Sequence, residues 1–167
     1  MVEHILIPME KRSAGLLMFR RPGEELEVFL VHAGGPFWAN KDAGAWMIPK
    51  GEYVDGELPL DAARREFHEE TGFEAKGDFI DLGTVRQAGG KLVHAWAFEG
   101  DCDPQKLTSN FCEVEWPPRS GRKIEIPEVD RGAWYPLSAA KLAILKSQQP
   151  FLDVLVTKLL VPKFVLE

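Results

Sequence analysis

From Pro59 to Thr71 the chain reads Pro-Leu-Asp-Ala-Ala-Arg-Arg-Glu-Phe-His-Glu-Glu-Thr, and Gly72 follows. Proline suits the first turn of a helix, Ala, Leu, Arg and Glu sustain one, and glycine fits the left-handed residue that ends it. The spacing predicts a helix over 59–71, with Glu66, Glu69 and Glu70 at i, i+3 and i+4. At ~100° per residue the three carboxylates share one arc. Leu60, Ala63 and Phe67 fall on the adjoining face, so the acidic stripe borders the core instead of standing opposite it. Like charges at this spacing repel by a few tenths of a kcal/mol even when exposed, and by more as the local dielectric falls. The pattern calls for compensation. A hard divalent cation such as Mg2+ supplies it, because it favours oxygen ligands, takes few carboxylates and completes its shell with waters and phosphates.

A Glu-rich helix taken alone is most often a solvated face, so the surroundings decide. Read from Gly51, the chain gives Gly51, five residues, Glu57, seven residues, and then Arg65-Glu66-Phe67-His68-Glu69-Glu70-Thr71-Gly72-Phe73. This segment resembles the signature of the Nudix hydrolase family, G-x5-E-x7-R-E-U-x-E-E-x-G-U with U apolar, and every fixed position matches. The resemblance implies an α+β fold, an α/β/α sandwich around a mixed sheet, forming a single domain over 1–167. It also implies hydrolysis of a phosphoanhydride in a nucleoside diphosphate linked to another moiety, such as a nucleoside triphosphate or a dinucleoside polyphosphate, with Mg2+ or Mn2+.

Carried over position by position, the resemblance makes Glu66, Glu69 and Glu70 the metal-binding carboxylates, one of them assisting proton removal from water. The Gly51 carbonyl completes the shell. Arg65 orients the carboxylates and pairs with Glu57, and Gly72 lets the chain leave the helix. Family members often supply a further base from a loop before the last strand. Glu128 is the candidate here, with Glu113, Glu115 and Glu125 as competitors. A Nudix-fold module that binds nucleotide without hydrolysing it is the alternative, although a pure binder has little reason to keep a full set of mutually repelling carboxylates. A protein-interaction domain working through the Trp/Pro-rich loop is a third reading.

Composition frames these expectations. A length of 167 residues fits one domain, and 45% hydrophobic with 28% charged residues is ordinary for a globular chain. The 26 acidic against 20 basic residues give a net charge of -6, the wrong sign for broad nucleic-acid binding. The carboxylate excess gains meaning because part of it is clustered. Cys102 and Cys112 form no disulfide framework, Met1 to Pro8 shows no basic-apolar leader, and no apolar run reaches the ~20 residues a bilayer demands. These features predict a cytoplasmic protein with no membrane partner.

Strands are expected at 14–19, 28–31, 46–48, 79–82, 92–98 and 133–135, and further helices after Pro136 and over 151–160. The segment 50–57 has too many turn formers for a regular element, and Trp116-Pro117-Pro118-Arg119-Ser120-Gly121 reads as a loop. Trp46 and Trp96 belong to the core. Trp38 and Trp116 are better placed to stack on a base, and Lys50, Arg119 and Lys123 are candidate phosphate contacts. His32, His68 and His94 lack zinc spacing. Gly35-Pro36-Phe37-Trp38-Ala39 together with 115–121 resembles a bacterial group of predicted nucleoside triphosphate pyrophosphohydrolases. The downstream Pro and Tyr that mark ADP-ribose and dinucleoside polyphosphate subfamilies are missing near Gly89-Gly90-Lys91.

Overall fold

The computed structural model describes residues 11–160; the Met1 to Pro8 segment lies outside them. The strand at the centre, β1 (Arg12–Arg20), carries Ser-Ala-Gly-Leu-Leu-Met-Phe without a break in burial, as expected of a strand covered on both faces. β1 pairs antiparallel with β2 (Glu27–Ala33) and with β4 (Lys50–Glu52). Its other edge runs parallel to β6 (Leu92–Glu99), which pairs antiparallel with β5 (Ile80–Arg86). β2 carries β3 (Trp46–Met47) and β9 (Val129–Pro136). The sheet is therefore mixed, in the order β3-β2-β1-β6-β5.

Alternation along β1 splits the core in two. Leu17 and Phe19 join Val28, Leu30 and Ile48 beneath α2 (Leu137–Ala143) and α3 (Gln149–Leu160), where Phe151, Leu152 and Leu155 are fully buried. Ala14, Leu16 and Met18 face the other way, against Ala62, Ala63 and Phe67 of α1 (Pro59–Thr71). Helices on both faces make the expected sandwich. Trp46 and Trp96 sit in the core at 4% and 9% exposure.

The expected helix 59–71 forms within those bounds. Pro59 opens it, and Gly72 closes it in the left-handed region at φ 77°, donating its N–H to the His68 carbonyl at 2.8 Å. Two stretches depart from expectation. Residues 50–52 form β4 and are not irregular, because β1 offers Ser13, Ala14 and Gly15 as ladder partners that override weak local propensity. The Pro-rich loop forms as expected, but the unexpected strands β7 (Phe111–Glu115) and β8 (Lys123–Pro127) flank it as a separate antiparallel hairpin. Short alternating strands around Pro and Gly give little periodic signal. The fifth strand also starts at Ile80 and runs on to Arg86, and the second helix ends at Ala143.

Candidate active site

The three glutamates of α1 meet different surroundings. Glu66 and Glu70 are buried, whereas the Glu69 side chain is 39% exposed. Arg65 organises the solvent side. Its Nε and Nη2 donate to the two oxygens of Glu57, both at 2.9 Å, and Nη1 donates to Glu66 at 2.8 Å and reaches Glu69 at 3.3 Å. The planar guanidinium suits this fork-to-carboxylate geometry as no ammonium does.

On the inner side, β4 brings Gly51 and Lys50 against the helix. A Cβ built on Gly51 would overlap the Glu66 carboxylate, so only glycine allows the strand to approach this closely. Glu70 has one carboxylate oxygen, Oε2, buried with no hydrogen-bond partner. Burial pushes the Glu70 carboxyl well above the usual carboxylate range; the Lys50 ammonium pulls against this, Glu128 and Glu66 add to it, and the Lys50 backbone N–H opposes it. Burial likewise raises Glu66, against Arg65 and with Glu69 and Glu128. Lys50 itself is lowered by burial.

Glu128 is the single residue linking β8 to β9. Its N–H donates to the Asn110 carbonyl at 3.0 Å, its carbonyl accepts from Gly34 at 3.0 Å, and its Oε1 lies 3.3 Å from Asn110 Nδ2. Asn110 also donates its own N–H to the Glu69 carbonyl at 2.8 Å, tying the end of α1 to this segment. Glu128 is near enough for its charge to raise the carboxyls of both Glu66 and Glu70. Glu113 and Glu125 face each other across the hairpin, and Glu115 pairs with Lys123.

Between the 33–38 loop and the hairpin lies a pocket of about 430 Å3 whose walls include Phe37, Trp38, Val114, Trp116 and Ile126. Glu128 and Glu115 are its charged lining. Trp38, Trp116 and Glu128 therefore line one pocket. Arg119 and Lys123 do not line it; Arg119 sits exposed in the hairpin turn at φ 62°. Sequence reasoning missed Asn110, whose contacts join segments far apart in the chain and leave no local signal.

The donors fit a hard divalent cation: an all-oxygen set, an orphaned buried carboxylate oxygen and a backbone brought close by glycine. Among the described residues no three His, Cys, Asp or Glu side chains already converge as a finished cage. Mg2+ needs none, since one or two carboxylates suffice when waters and substrate phosphates complete its shell. No helix among the described residues is long and apolar enough to cross a membrane.

A mixed sheet between helical layers, with a glutamate-bearing helix facing a glycine strand, defines a Nudix-type domain. The NUDIX domain family model matches residues 9–155, and the chain belongs to that family. An uncharacterized 17.7 kDa protein from the e-segB intergenic region of Enterobacteria phage T4 is 30% identical over 133 residues, covering 78% of this chain and 85% of that one. An RNA pyrophosphohydrolase of Rhizobium meliloti is 28% identical over 107 residues, 55% of this chain and 59% of the enzyme. Among solved structures, a Caenorhabditis elegans (C. elegans) Ap4A hydrolase binary complex superposes with a TM-score of 0.61 at 23% identity, covering 88% and 97% of the two chains. The NUDIX domain of Shewanella oneidensis NrtR complexed with ADP ribose gives 0.63 at 17%, covering 92% and 90%. At these identities the structural matches speak for the fold.

Proposed function

We propose that this chain is a Mg2+-dependent hydrolase that cleaves a phosphoanhydride in a free nucleotide, a nucleoside triphosphate or a dinucleoside polyphosphate. The observation that carries the reading is Glu128, which lines the aromatic pocket and whose charge is felt by Glu66 and Glu70. In this reading a base seats against Trp38 and Trp116 with its phosphates toward Glu128. The chain's negative charge and the acidic pocket lining favour a small nucleotide over the RNA ends for which several relatives are named.

Glu66, Glu69, Glu70 and the Gly51 carbonyl are the groups that would hold the cation, which when bound offsets phosphate charge and acidifies water. Everything else falls to side chains. Arg65 fixes Glu57 and Glu66 in one orientation. Lys50 lies against Glu70 and offsets part of its charge. Glu128, steadied by Asn110, is the candidate to accept a proton from the attacking water.

Product analysis over nucleoside triphosphates, dinucleoside polyphosphates, ADP-ribose and 5′-triphosphorylated RNA, with Mg2+ and with Mn2+, tests this reading. Hydrolysis of a free nucleotide at its anhydride is the expected outcome. Tight nucleotide binding without phosphate release would make the protein a binding module instead.

A further inference from the structure

His32 ends the buried run of β2 and has no exposure at all. Its ring lies between two oxygens: Nδ1 is 3.0 Å from Asp130 Oδ1 and Nε2 is 2.6 Å from the Lys41 carbonyl oxygen. A carboxylate and a carbonyl only accept, so against an ionised Asp130 both contacts are hydrogen bonds when each ring nitrogen carries hydrogen. Trp46 covers the ring edge-to-face at 5.2 Å.

Both ends of this contact lead to the pocket. Lys41 donates its N–H to the Trp38 carbonyl at 2.9 Å, and its ammonium stands 3.4 Å from the Phe37 ring centre and 5.1 Å from that of Trp38. Holding the Lys41 carbonyl therefore holds the aromatic wall. Between Gly35 and Lys41, the His32 contact is the one hydrogen bond leaving the loop among the described residues. At the other end, Ala33 pairs with Val129 and His32 with Arg131, which leaves Asp130 as the extra residue of a bulge. Bulges of this kind re-aim a side chain, and here the side chain is turned onto His32.

The charged groups around the ring are few. From β9 come Asp130 and Arg131, whose Nη1 lies 3.5 Å from Asp130 Oδ2 and whose guanidinium lies over Trp46 at 5.2 Å. From the loop comes Asp42, which accepts from Trp46 Nε1 at 2.9 Å. Glu128 has its own anchors in Asn110 and Gly34, so loss of the ring frees the loop and leaves the acidic residue in place.

We infer that His32 is a positioning residue, a doubly protonated strut that sets the Phe37–Trp38 wall of the pocket against the start of β9. Its catalytic readout rests on the function proposed above; its structural readout does not. In the wild-type protein a proton–nitrogen correlation spectrum should show an N–H at both ring nitrogens of His32. His32→Phe keeps the ring volume and should speed amide exchange at residues 34–45 by roughly tenfold, the loss of one charge-assisted bond, with β1 and β6 unchanged. Asp130→Asn keeps the histidine and should loosen the same segment less. For a nucleotide the wild type hydrolyses, His32→Phe should raise KM by roughly tenfold with kcat within about threefold. An unprotonated ring nitrogen in the wild type, or unchanged exchange at 34–45 in both variants, would overturn the strut. If no nucleotide is turned over, the proposed function fails, while the spectrum and the exchange data still decide the role of His32.

Discussion

Gly51 faces the Glu66 carboxylate so closely that no side chain fits between strand and helix. Gly51→Ala must therefore push Glu66 or β4 aside. Overpacking of this kind costs about 1–3 kcal/mol, and a displacement near 1 Å at a catalytic group lowers rate by roughly a hundredfold. Melting curves and steady-state kinetics should show a folded protein with a modestly lower Tm and a far lower kcat. An unchanged kcat would separate Glu66 from the chemistry.

Buried carboxyls give the metal-free protein an unusual pH response. Glu66 and Glu70 are raised in the folded state, so between their unfolded and folded values the native chain binds more protons than the unfolded one. Stability then falls as pH rises through that window. Glu57 acts oppositely: its hydrogen bonds from Arg65 hold it low, and the stability it adds is lost as pH falls through its folded value. Thermal melts without metal should decline from mildly acid toward neutral pH. Mg2+ should restore the neutral side, by about 2.7 kcal/mol at a hundredfold excess over Kd. A Mg2+ effect that is equal at all pH values would contradict the assignment of these carboxylates.

Arg65 holds its partners through a planar fork, two bonds to Glu57 and one to Glu66. Lysine keeps the charge and loses the fork. Arg65→Lys should reduce activity by roughly ten- to a hundredfold, as expected for a residue orienting metal ligands. The stability cost should stay near ~1 kcal/mol, because the pairs are partly solvated. Kinetics alongside denaturant unfolding would separate the two effects.

Trp116 lines the pocket opposite the Trp38 loop. Stacking of a base on an aromatic ring is worth about 1–3 kcal/mol, so Trp116→Ala should raise KM by roughly tenfold or more and change kcat little. Equal KM values for wild type and variant would move the base elsewhere.

Much of this is legible in the sequence. The α1 helix, its glycine stop and a strand over 14–19 follow from composition and spacing alone, and Arg65 meets Glu57 and Glu66 as the resemblance implies. β4 was not legible, because its pairing with Ser13, Ala14 and Gly15 is a tertiary event in a turn-rich segment. The β7–β8 hairpin hid in the same way behind its Pro-rich turn. Trp38, Trp116 and Glu128 could each be singled out, yet only that hairpin brings them to one pocket. The contacts of Asn110 and His32 join residues from 9 to 98 positions apart and leave no pattern along the chain.

The measurement that bears most directly on the account is Mg2+-dependent nucleotide hydrolysis by Glu70→Gln. Replacing the buried carboxyl with a neutral isostere removes a desolvated charge, so the metal-free variant should melt at or above the wild-type temperature. Its turnover should fall by roughly 10²- to 10⁴-fold. Turnover within about twofold of wild type, in a variant that is equally folded, would contradict the claim that this carboxylate cluster carries the chemistry.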